Sequence, residues 1–249
     1  MRLSLPLALA FCLCACNAAD EGRAATARAF PQADRPVSGR GGSGFSTEAA
    51  RDDRNEAMTV MDLALIRPGM TVADIGAGEG YYTVRLAERV DGKGRVLAED
   101  IDRDAMGRLA NRIERDHLDN AYAQVGTADD PRLPDNSFDR IFMVHMYHEI
   151  EEPYAFLWRL RPALRAGGQV IVVDVDKPTD RHGIAPQLLF CEFAAVGFKL
   201  AEFVRKPELA GYYAQFTVEG ARPEPDKIKP CSQAVIQQQA VPAGAGKVG

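Results

Sequence analysis

The stretch Val72-Ala73-Asp74-Ile75-Gly76-Ala77-Gly78-Glu79-Gly80 decides the fold, because a short apolar run leads directly into three spaced glycines. Glycine lacks a Cβ atom, so this loop can adopt positive φ angles and let a ligand approach the backbone closely. A nicotinamide-binding loop needs its third glycine five positions after the first, where this chain has Tyr81. The acid Asp74 would repel a pyrophosphate but suits a ligand that carries an ammonium group. The stretch therefore predicts a strand, a ligand-binding loop and a helix.

Outside this stretch, apolar runs of strand length alternate with amphipathic stretches of helix length between residues 46 and 220, which we expect to form one domain. That alternation is typical of a parallel sheet covered by helices on both faces. The last two runs are joined by only 205–211, too short for a crossover helix, so they should pair antiparallel. The sequence thus predicts a three-layer α/β sandwich with a seven-stranded, mostly parallel sheet whose last strand is antiparallel. The predicted strands are 71–75, 95–99, 121–125, 140–144, 169–175, 199–204 and 212–218, and the predicted helices are 48–66, 81–90, 103–117, 153–165 and 186–196.

Three further segments carry acids near the ends of predicted strands. Asp100 lies in Val96-Leu97-Ala98-Glu99-Asp100-Ile101-Asp102, 20 residues beyond Gly80. Gly126-Thr127-Ala128-Asp129-Asp130 follows the third strand, and Leu133-Pro134-Asp135-Asn136-Ser137-Phe138-Asp139 leads into the fourth. With the glycine loop, these motifs resemble, in their order, the class I S-adenosylmethionine-dependent methyltransferases over roughly residues 48–218. The resemblance implies a Rossmann-like fold, S-adenosylmethionine as the cofactor and methyl transfer as the activity.

The glycine loop and the acid before it would contact the methionyl part of the cofactor. In the family that the sequence resembles, this part lies beside an acid that matches Asp74 and glycines that match Gly76, Gly78 and Gly80. The alternative is that Asp74 only caps its strand and that the glycines only form a tight turn.

The acids after the second and third strands would hold the nucleoside part of the cofactor. The family binds the ribose hydroxyls through an acid that matches Asp100, or Glu99 if the strand register slips by one. Ile101 would then pack on the adenine, and Asp129 would accept a hydrogen bond from the adenine amino group. Asp100 can instead be an ordinary surface acid, and Asp129 can be a turn former, since aspartate often opens turns.

The fourth predicted strand ends in His145-Met146-Tyr147-His148-Glu149, which brings two of the four histidines beside a carboxylate. A similar Tyr-His-Glu segment occurs in predicted exported, lipoprotein-like small-molecule methyltransferases. The resemblance places these side chains at the substrate mouth, with His145 among the cofactor-binding residues. His148 would take a proton, with Glu149 or a neighbouring acid orienting its ring, because the pKa of histidine is near neutrality. The alternative is that His148 only makes a hydrogen bond to the loop before Pro153.

No metal site is expected from this segment. His145 and His148 lack the i, i+4 spacing of a zinc-binding helix, and no cysteine lies close by in the sequence. A further histidine, His182, follows the fifth strand and either helps to close over the substrate or belongs to an ordinary loop. Tyr81 and Tyr82, at the start of the helix after the glycines, either wall the cofactor or pack in the core.

Both ends of the chain differ in composition from the middle. Residues 1–16 have the basic start and the apolar run of an export signal, and their end resembles a bacterial lipobox. The resemblance implies lipidation of Cys16 and membrane attachment on the periplasmic side of the cell envelope. The alternatives are a plainly secreted protein and a cytoplasmic one whose signal is misread. We expect 17–45 to be a flexible linker and 221–249 a disordered tail, and Cys191 and Cys231 can form one disulfide.

Charge and composition narrow the function classes. The 249 residues include 30 basic and 35 acidic side chains, and this net charge of −5 offers no basic footprint, so no nucleic-acid partner is expected. The leading hypothesis is an S-adenosylmethionine-dependent methyltransferase with a small-molecule acceptor. The competing hypothesis is a non-catalytic module of the same fold that binds a nucleoside or S-adenosylmethionine in the cell envelope. A nicotinamide oxidoreductase is disfavoured by Tyr81 and Asp74.

Overall fold

The fold is described by a computed structural model for residues 22–39, 47–206, 209 and 211–232. The predicted signal segment with Cys16, and residues 233–249 of the predicted tail, lie outside these described residues. None of the helices within the described ranges is long and apolar enough to cross a membrane.

One sheet contains all seven named strands. Their bounds are β1 Thr71–Ile75, β2 Arg95–Asp100, β3 Ala121–Val125, β4 Phe138–Val144, β5 Leu164–Asp174, β6 Phe198–Lys206 and β7 Gly211–Val218. Their order across the sheet is β3-β2-β1-β4-β5-β7-β6. Strands β1 to β5 run parallel, whereas β7 pairs antiparallel with both β5 and β6. The predicted mostly parallel sheet with an antiparallel last strand is therefore confirmed.

Helices cover both faces of the sheet, as the alternating pattern predicts. Their bounds are α1 Glu48–Asp52, α2 Glu56–Leu63, α3 Tyr81–Val90, α4 Arg103–Arg115, α5 Pro153–Leu160 and α6 Pro186–Ala195. Helices α2 and α3 bury Val60 and Leu86 against one face, and α5 and α6 bury Leu157 and Phe193 against the other. Full burial of each such side chain stabilises the fold by roughly 1.5–3 kcal/mol. The apolar stripes of the helices thus hold the three layers together.

The first predicted helix, 48–66, is wrong in one respect, because the structure divides it into α1 and α2. Asn55, which precedes α2, has a φ of 52°, a left-handed conformation that asparagine adopts more readily than most residues. The guanidinium of Arg51 turns back and lies 2.5 Å from Glu56 Oε1 across the break. The break therefore exchanges helical hydrogen bonds for a partly buried ion pair.

The N-terminal segment, residues 22–39, packs against the domain, so the prediction of a flexible linker over 17–45 is wrong for these residues. Ala27 and Phe30 are buried in the main core. The guanidinium of Arg23 lies 2.6 Å from a Glu152 oxygen, and the buried Arg35 lies 2.8 Å from Glu192. The segment lacks a helical or strand period, so nothing local in its sequence predicts this packing.

The residues after β7 are also ordered as far as residue 232, which corrects the prediction of a disordered tail from 221. Cys231 forms a disulfide with Cys191 of α6, across a sequence separation of 40 residues. The indole Nε1 of Trp158 donates a hydrogen bond to the Pro223 carbonyl at 2.8 Å, and Ile228 is buried. The disulfide that the sequence leaves open is therefore formed, and it fastens the end of the described chain to the domain.

Candidate active site

A cleft of about 1110 Å³ opens at the carboxyl ends of β1, β2 and β4. The strand order reverses at β1, whose neighbours are β2 on one side and β4 on the other. Ligands of open α/β sheets bind at such a switch point, because the loops that follow the two neighbouring strands run in opposite directions and a crevice forms between them. The cleft therefore lies where the fold itself predicts a ligand site.

The glycine loop forms one wall of the cleft. Gly76 and Gly78 line it, and Gly78, with a φ of 54°, has open space where a Cβ atom would be. Gly80 has a different role, because a Cβ atom there would overlap the side chain of Leu109 on α4. The structure thus brings two of the predicted glycines to the cleft and uses the third for close packing of α3 against α4.

Asp100 and Ile101 line the cleft beside the glycine loop. One Asp100 carboxylate oxygen accepts a hydrogen bond from the Gly78 N–H at 3.0 Å, and the other accepts one from the Asp102 N–H at 2.9 Å. Asp102 in turn caps α4 through its carboxylate. The end of β2 is therefore tied to the glycine loop on one side and to a helix start on the other.

Glu99, the alternative to Asp100, also lines the cleft but is buried. Its Oε1 is without a hydrogen-bond partner among the described residues and occupies the space that a Cβ atom at Gly126 would need. Burial, reinforced by the charges of Asp100 and other nearby acids, raises the pKa of Glu99 well above its usual range. Asp100 is the less buried acid of this pair, and its carboxylate oxygens accept hydrogen bonds from backbone N–H groups.

Asp74 is buried at the end of β1 and is not among the described residues that line the cleft. The hydroxyl of Thr83 donates a 2.6 Å hydrogen bond to its carboxylate. Burial raises the pKa of Asp74 to about 6, although the Thr83 hydrogen bond opposes the shift. Asp74 thus lies next to the glycine loop, below the lining of the cleft, where its charge contributes to the electrostatic potential in the cleft.

We expect the free energy of unfolding to fall as pH rises through the interval between about 4 and 6. The folded protein holds the Asp74 proton up to about pH 6, whereas the unfolded chain releases it near pH 3.9. The stabilisation from the Asp74 proton is therefore complete below about pH 4. By pH 7 the free energy of unfolding has lost this contribution, which is on the order of 2 kcal/mol. Urea unfolding at pH 4.5, 6 and 7.5 should show this loss in the wild-type chain and not in Asp74→Asn. The exposed Asp119→Asn is the control, and equal pH slopes in all three proteins would contradict the prediction.

Asp129 does not face the cleft as the sequence predicts. Its carboxylate accepts hydrogen bonds from the hydroxyls of Thr26 and Thr127 and lies 2.8 Å from the Arg159 guanidinium. Burial alone would raise the pKa of Asp129, but these partners lower it below its usual range. Asp129 is not among the described residues that line the cleft, and its oxygens already accept hydrogen bonds from protein groups, but its assignment to the adenine amino group stays a prediction. Thr127 and Ala128 of the same turn line the cleft instead.

His145 lines the cleft at the end of β4, with a left-handed φ of 56°. Its Nε2 lies 3.5 Å from Glu56 Oε1 on α2. Burial raises the pKa of Glu56, but hydrogen bonds from His145 and Arg51 outweigh it and bring the pKa to about 2. His145 is thereby held at the cleft by a carboxylate that stays ionised.

His148 and Glu149 follow in a short turn, and only Glu149 is among the described residues that line the cleft. His148 is buried, and its Nδ1 lies 3.0 Å from each carboxylate oxygen of Asp174 at the end of β5. The acid that orients the ring is thus Asp174 rather than Glu149. The roles of His148 and Glu149 in proton transfer stay predictions.

The structure also brings α1 to the cleft, which sequence reasoning missed. Glu48 and Arg51 line the cleft beside Tyr81, and the Arg51 guanidinium lies 3.8 Å from the centre of the Tyr81 ring. Tyr82 is buried in the core, so one tyrosine of the pair walls the cleft and the other packs. The polar face of α1 has the composition of an ordinary solvated face, and the sequence offers no signal for this contact.

Comparisons with known proteins agree with the geometry. Residues 72–168 match the family model described as a methyltransferase domain. The chain is 27% identical over 229 residues to the ubiquinone/menaquinone biosynthesis C-methyltransferase UbiE of Shewanella sp. (strain W3-18-1), which covers 87% of this chain and 86% of that protein. A methyltransferase structure from Aquifex aeolicus, described as dependent on S-adenosylmethionine, has a TM-score of 0.59 and 21% identity, covering 69% of this chain and 97% of that one.

A further structure with this fold is phosphoethanolamine N-methyltransferase 1 of Haemonchus contortus, bound to phosphoethanolamine and S-adenosylhomocysteine. Its TM-score is 0.59 at 18% identity, over 77% of this chain and 49% of that one. In the present chain, the open space at Gly78, the carboxyl group of Asp100 and the apolar Ile101 fit a cofactor with an amino acid end, a ribose and a flat base. The match to the methyltransferase domain and the fold of these neighbours therefore support a class I S-adenosylmethionine-dependent methyltransferase.

Proposed function

We propose that this methyltransferase acts on a small neutral or cationic acceptor, which enters the cleft beside His145, Met146 and Glu149. The observation that carries the proposal is the charge of the cleft. Among the described lining residues, three are arginines and, apart from the buried Glu99 with its raised pKa, seven bear carboxyl groups, namely Glu48, Glu79, Asp100, Asp102, Asp104, Glu149 and Glu151. Such a rim repels polyanions and attracts cations, because walls of one charge sign focus the field in a cleft.

The volume of the cleft supports a small acceptor. Small-molecule sites usually have volumes of about 300–1,000 Å³, so a cleft of about 1110 Å³ has room for the cofactor and a modest second ligand. The name of one similar protein agrees with a small acceptor, since UbiE is a C-methyltransferase of ubiquinone/menaquinone biosynthesis. The acidic rim favours an acceptor without a phosphate group.

S-adenosylmethionine supplies an electrophilic methyl group on a sulfonium, so the reaction needs little from the protein besides alignment. In our proposal, Asp100 and the Gly78 backbone fix the nucleoside side, and Asp74 adds negative charge behind the loop. The residues 145–149 would hold the acceptor and exclude water. Alignment of two bound reactants can supply effective molarities of about 10⁵ M or more, which makes positioning the main source of rate.

We propose further that the chain faces the periplasm and is attached through a lipidated Cys16. The sequence of residues 1–16 carries this proposal. The Cys191–Cys231 disulfide supports it, because disulfides persist in oxidising compartments and are rare in the cytoplasm. The cofactor would then have to reach the enzyme from the cytoplasm. The thiol state of these two cysteines in cells tests this location.

Asp100→Ala should raise the Kd for S-adenosylhomocysteine by about 30-fold. The variant removes the carboxylate that would bind the ribose hydroxyls, and charge-assisted hydrogen bonds of this kind contribute about 1.5–3 kcal/mol. Isothermal calorimetry measures the change, with Asp104→Ala as the matched control, since that acid lies on the same rim at the start of α4. We expect the control to change Kd less than about threefold. Unchanged affinity in Asp100→Ala would refute the role of Asp100.

The acceptor class is tested separately by S-adenosylhomocysteine release over a panel of compounds. Neutral and cationic small molecules should support turnover, and phosphorylated analogues of the same compounds should react more slowly. Turnover confined to nucleic acid or to protein would overturn the proposed acceptor class while leaving the cofactor assignment intact.

A further inference from the structure

Three side chains that can bind metal ions, one of which is Glu149, lie together at the edge of the cleft. His148 and Glu149 come from the turn after β4, and His182 comes from the loop between β5 and α6. His148 Nε2 lies 3.9 Å from Glu149 Oε1, and one donor atom from each of the three residues lies within 4.8 Å of the others. The sequence-based comparison of His145 with His148 missed this group, because the third donor lies in another loop.

Two ring nitrogens of this group are buried without a hydrogen-bond partner. His148 Nε2 and His182 Nδ1 both have this property within the part of the chain that the structure describes. The His148 side chain is 2% exposed, so bulk water does not supply a hydrogen bond to its Nε2. A buried polar atom without a partner destabilises the fold, and a bound ion would remove that cost at both nitrogens.

The remaining nitrogen of His148 is already held by a carboxylate. Nδ1 lies 3.0 Å from both oxygens of Asp174, which is fully buried. This contact favours the tautomer with the proton on Nδ1 and leaves the lone pair of Nε2 directed towards Glu149 and His182. A carboxylate–histidine pair of this kind is the usual support of a metal-binding histidine.

The loop that carries His182 is anchored to the sheet. The Ile184 N–H donates to the Val175 carbonyl at 2.9 Å, and the hydroxyl of Tyr212 donates to the Ile184 carbonyl at 2.9 Å. His182 itself has a left-handed φ of 52°, and its ring lies edge-on to the ring of His148, with 5.8 Å between the ring centres. The three donors therefore come from fixed elements, as a preorganised site requires.

We propose that His148, Glu149 and His182 bind a divalent transition-metal ion. Two imidazole nitrogens and one carboxylate oxygen suit zinc, cobalt(II) or iron(II), whereas magnesium and calcium prefer sites built from oxygen atoms. Three protein donors leave at least one coordination position for water or an acceptor atom. Donors of a tetrahedral ion lie roughly 3.4 Å apart when each bond is about 2.1 Å, so the group closes by about an ångström on binding.

An ion on His148 Nε2 would occupy the nitrogen that a proton-transfer role requires. The two roles of His148 are therefore alternatives, and the metal site revises the sequence-based expectation that the chain has none. The buried Arg35 donates a hydrogen bond to the His148 carbonyl at 3.3 Å and is paired with Glu192 at 2.8 Å. Its charge consequently does not oppose an ion at this group.

The test is a titration of the untagged, chelator-treated chain with Zn²⁺ and with Co²⁺. We expect one ion per chain with a Kd of about 10 μM or tighter, and a Co²⁺ absorption spectrum typical of nitrogen and oxygen ligands. His182→Ala and Glu149→Gln should each weaken Zn²⁺ binding by about 30-fold or more. Asp174→Asn should weaken it by about 10–100-fold, the usual effect of changing a carboxylate that supports a metal-binding histidine.

His117→Ala is the matched control, because His117 is an exposed histidine after α4 and its loss should leave the Kd unchanged. Circular dichroism and S-adenosylhomocysteine binding check that each variant is folded, which keeps the test independent of the proposed acceptor. His148→Ala is informative only with these checks, since His148 is buried, and His182→Ala carries the decision. A Zn²⁺ Kd weaker than about 100 μM, or an equal Kd in His182→Ala, Glu149→Gln and the wild-type chain, would overturn the proposal.

Discussion

Arg35→Met should lower the free energy of unfolding by about 3–5 kcal/mol, the usual cost of breaking a buried ion pair by removing one partner. The Arg35 guanidinium lies 2.8 Å from Glu192 Oε1, and both side chains are 0% exposed. It also donates hydrogen bonds to the carbonyls of His148 and Ile150. Without the arginine, Glu192 holds an uncompensated charge in the core. Urea unfolding monitored by circular dichroism measures the loss.

Two controls separate the charge from the packing. Arg28→Met changes an exposed arginine of the same segment and should alter stability by about 0.5 kcal/mol or less. The double variant Arg35→Met/Glu192→Met removes both charges at similar volume, and we expect it to be more stable than the single variant. A single variant that loses less than about 1 kcal/mol would show that the N-terminal segment contributes little to the fold.

Replacing both Cys191 and Cys231 with serine should lower the free energy of unfolding by about 3 kcal/mol. The disulfide closes a loop of 40 residues, and a cross-link of this span stabilises a fold mainly by restricting the unfolded chain. For a domain of this size the Tm should fall by about 6–12 °C, measured by scanning calorimetry. A reducing agent should bring the wild-type Tm down to that of the variant and leave the variant unchanged. A Tm difference below about 2 °C would contradict the prediction.

The same disulfide tests the proposed location. Mass spectrometry of the chain isolated from cells, after alkylation without reduction, should find Cys191 and Cys231 free of the alkylating reagent. The double serine variant shows the background of the method. Free thiols at both positions in freshly isolated protein would contradict a periplasmic site, since an oxidising compartment keeps such a bond closed.

The sheet could be predicted from the sequence because apolar runs and glycines mark it locally. The bounds of β1 and β3 agree with the prediction to the residue, and the other strands differ at their ends. The division of the first helix could not be predicted, because neither the left-handed backbone of Asn55 nor the contact between Arg51 and Glu56 shows in the helical pattern. Local periodicity thus predicts the layers but not this break.

The site was predictable where it follows the chain and not where it depends on packing. The glycine loop, Asp100, Ile101 and Glu149 line the cleft because each ends or follows a strand of the sheet. Asp129 is not among the described lining residues of the cleft. Thr26, from a segment with no regular pattern, donates a hydrogen bond to one of its carboxylate oxygens. His182 meets His148 only through the neighbouring positions of β4 and β5, so the histidine group required the three-dimensional arrangement.

The packing of residues 22–39 also affects the choice of the N-terminal boundary for recombinant expression of this protein. A boundary at residue 46, which the strand and helix pattern suggests, would discard Arg23, Thr26 and Arg35 together. Glu152, Asp129 and Glu192 would each lose a partner in one deletion, on three different parts of the domain. A shortened version that precipitates or fails to bind its cofactor would then say nothing against the enzyme. A recombinant boundary that keeps all three contacts must therefore lie before Arg23.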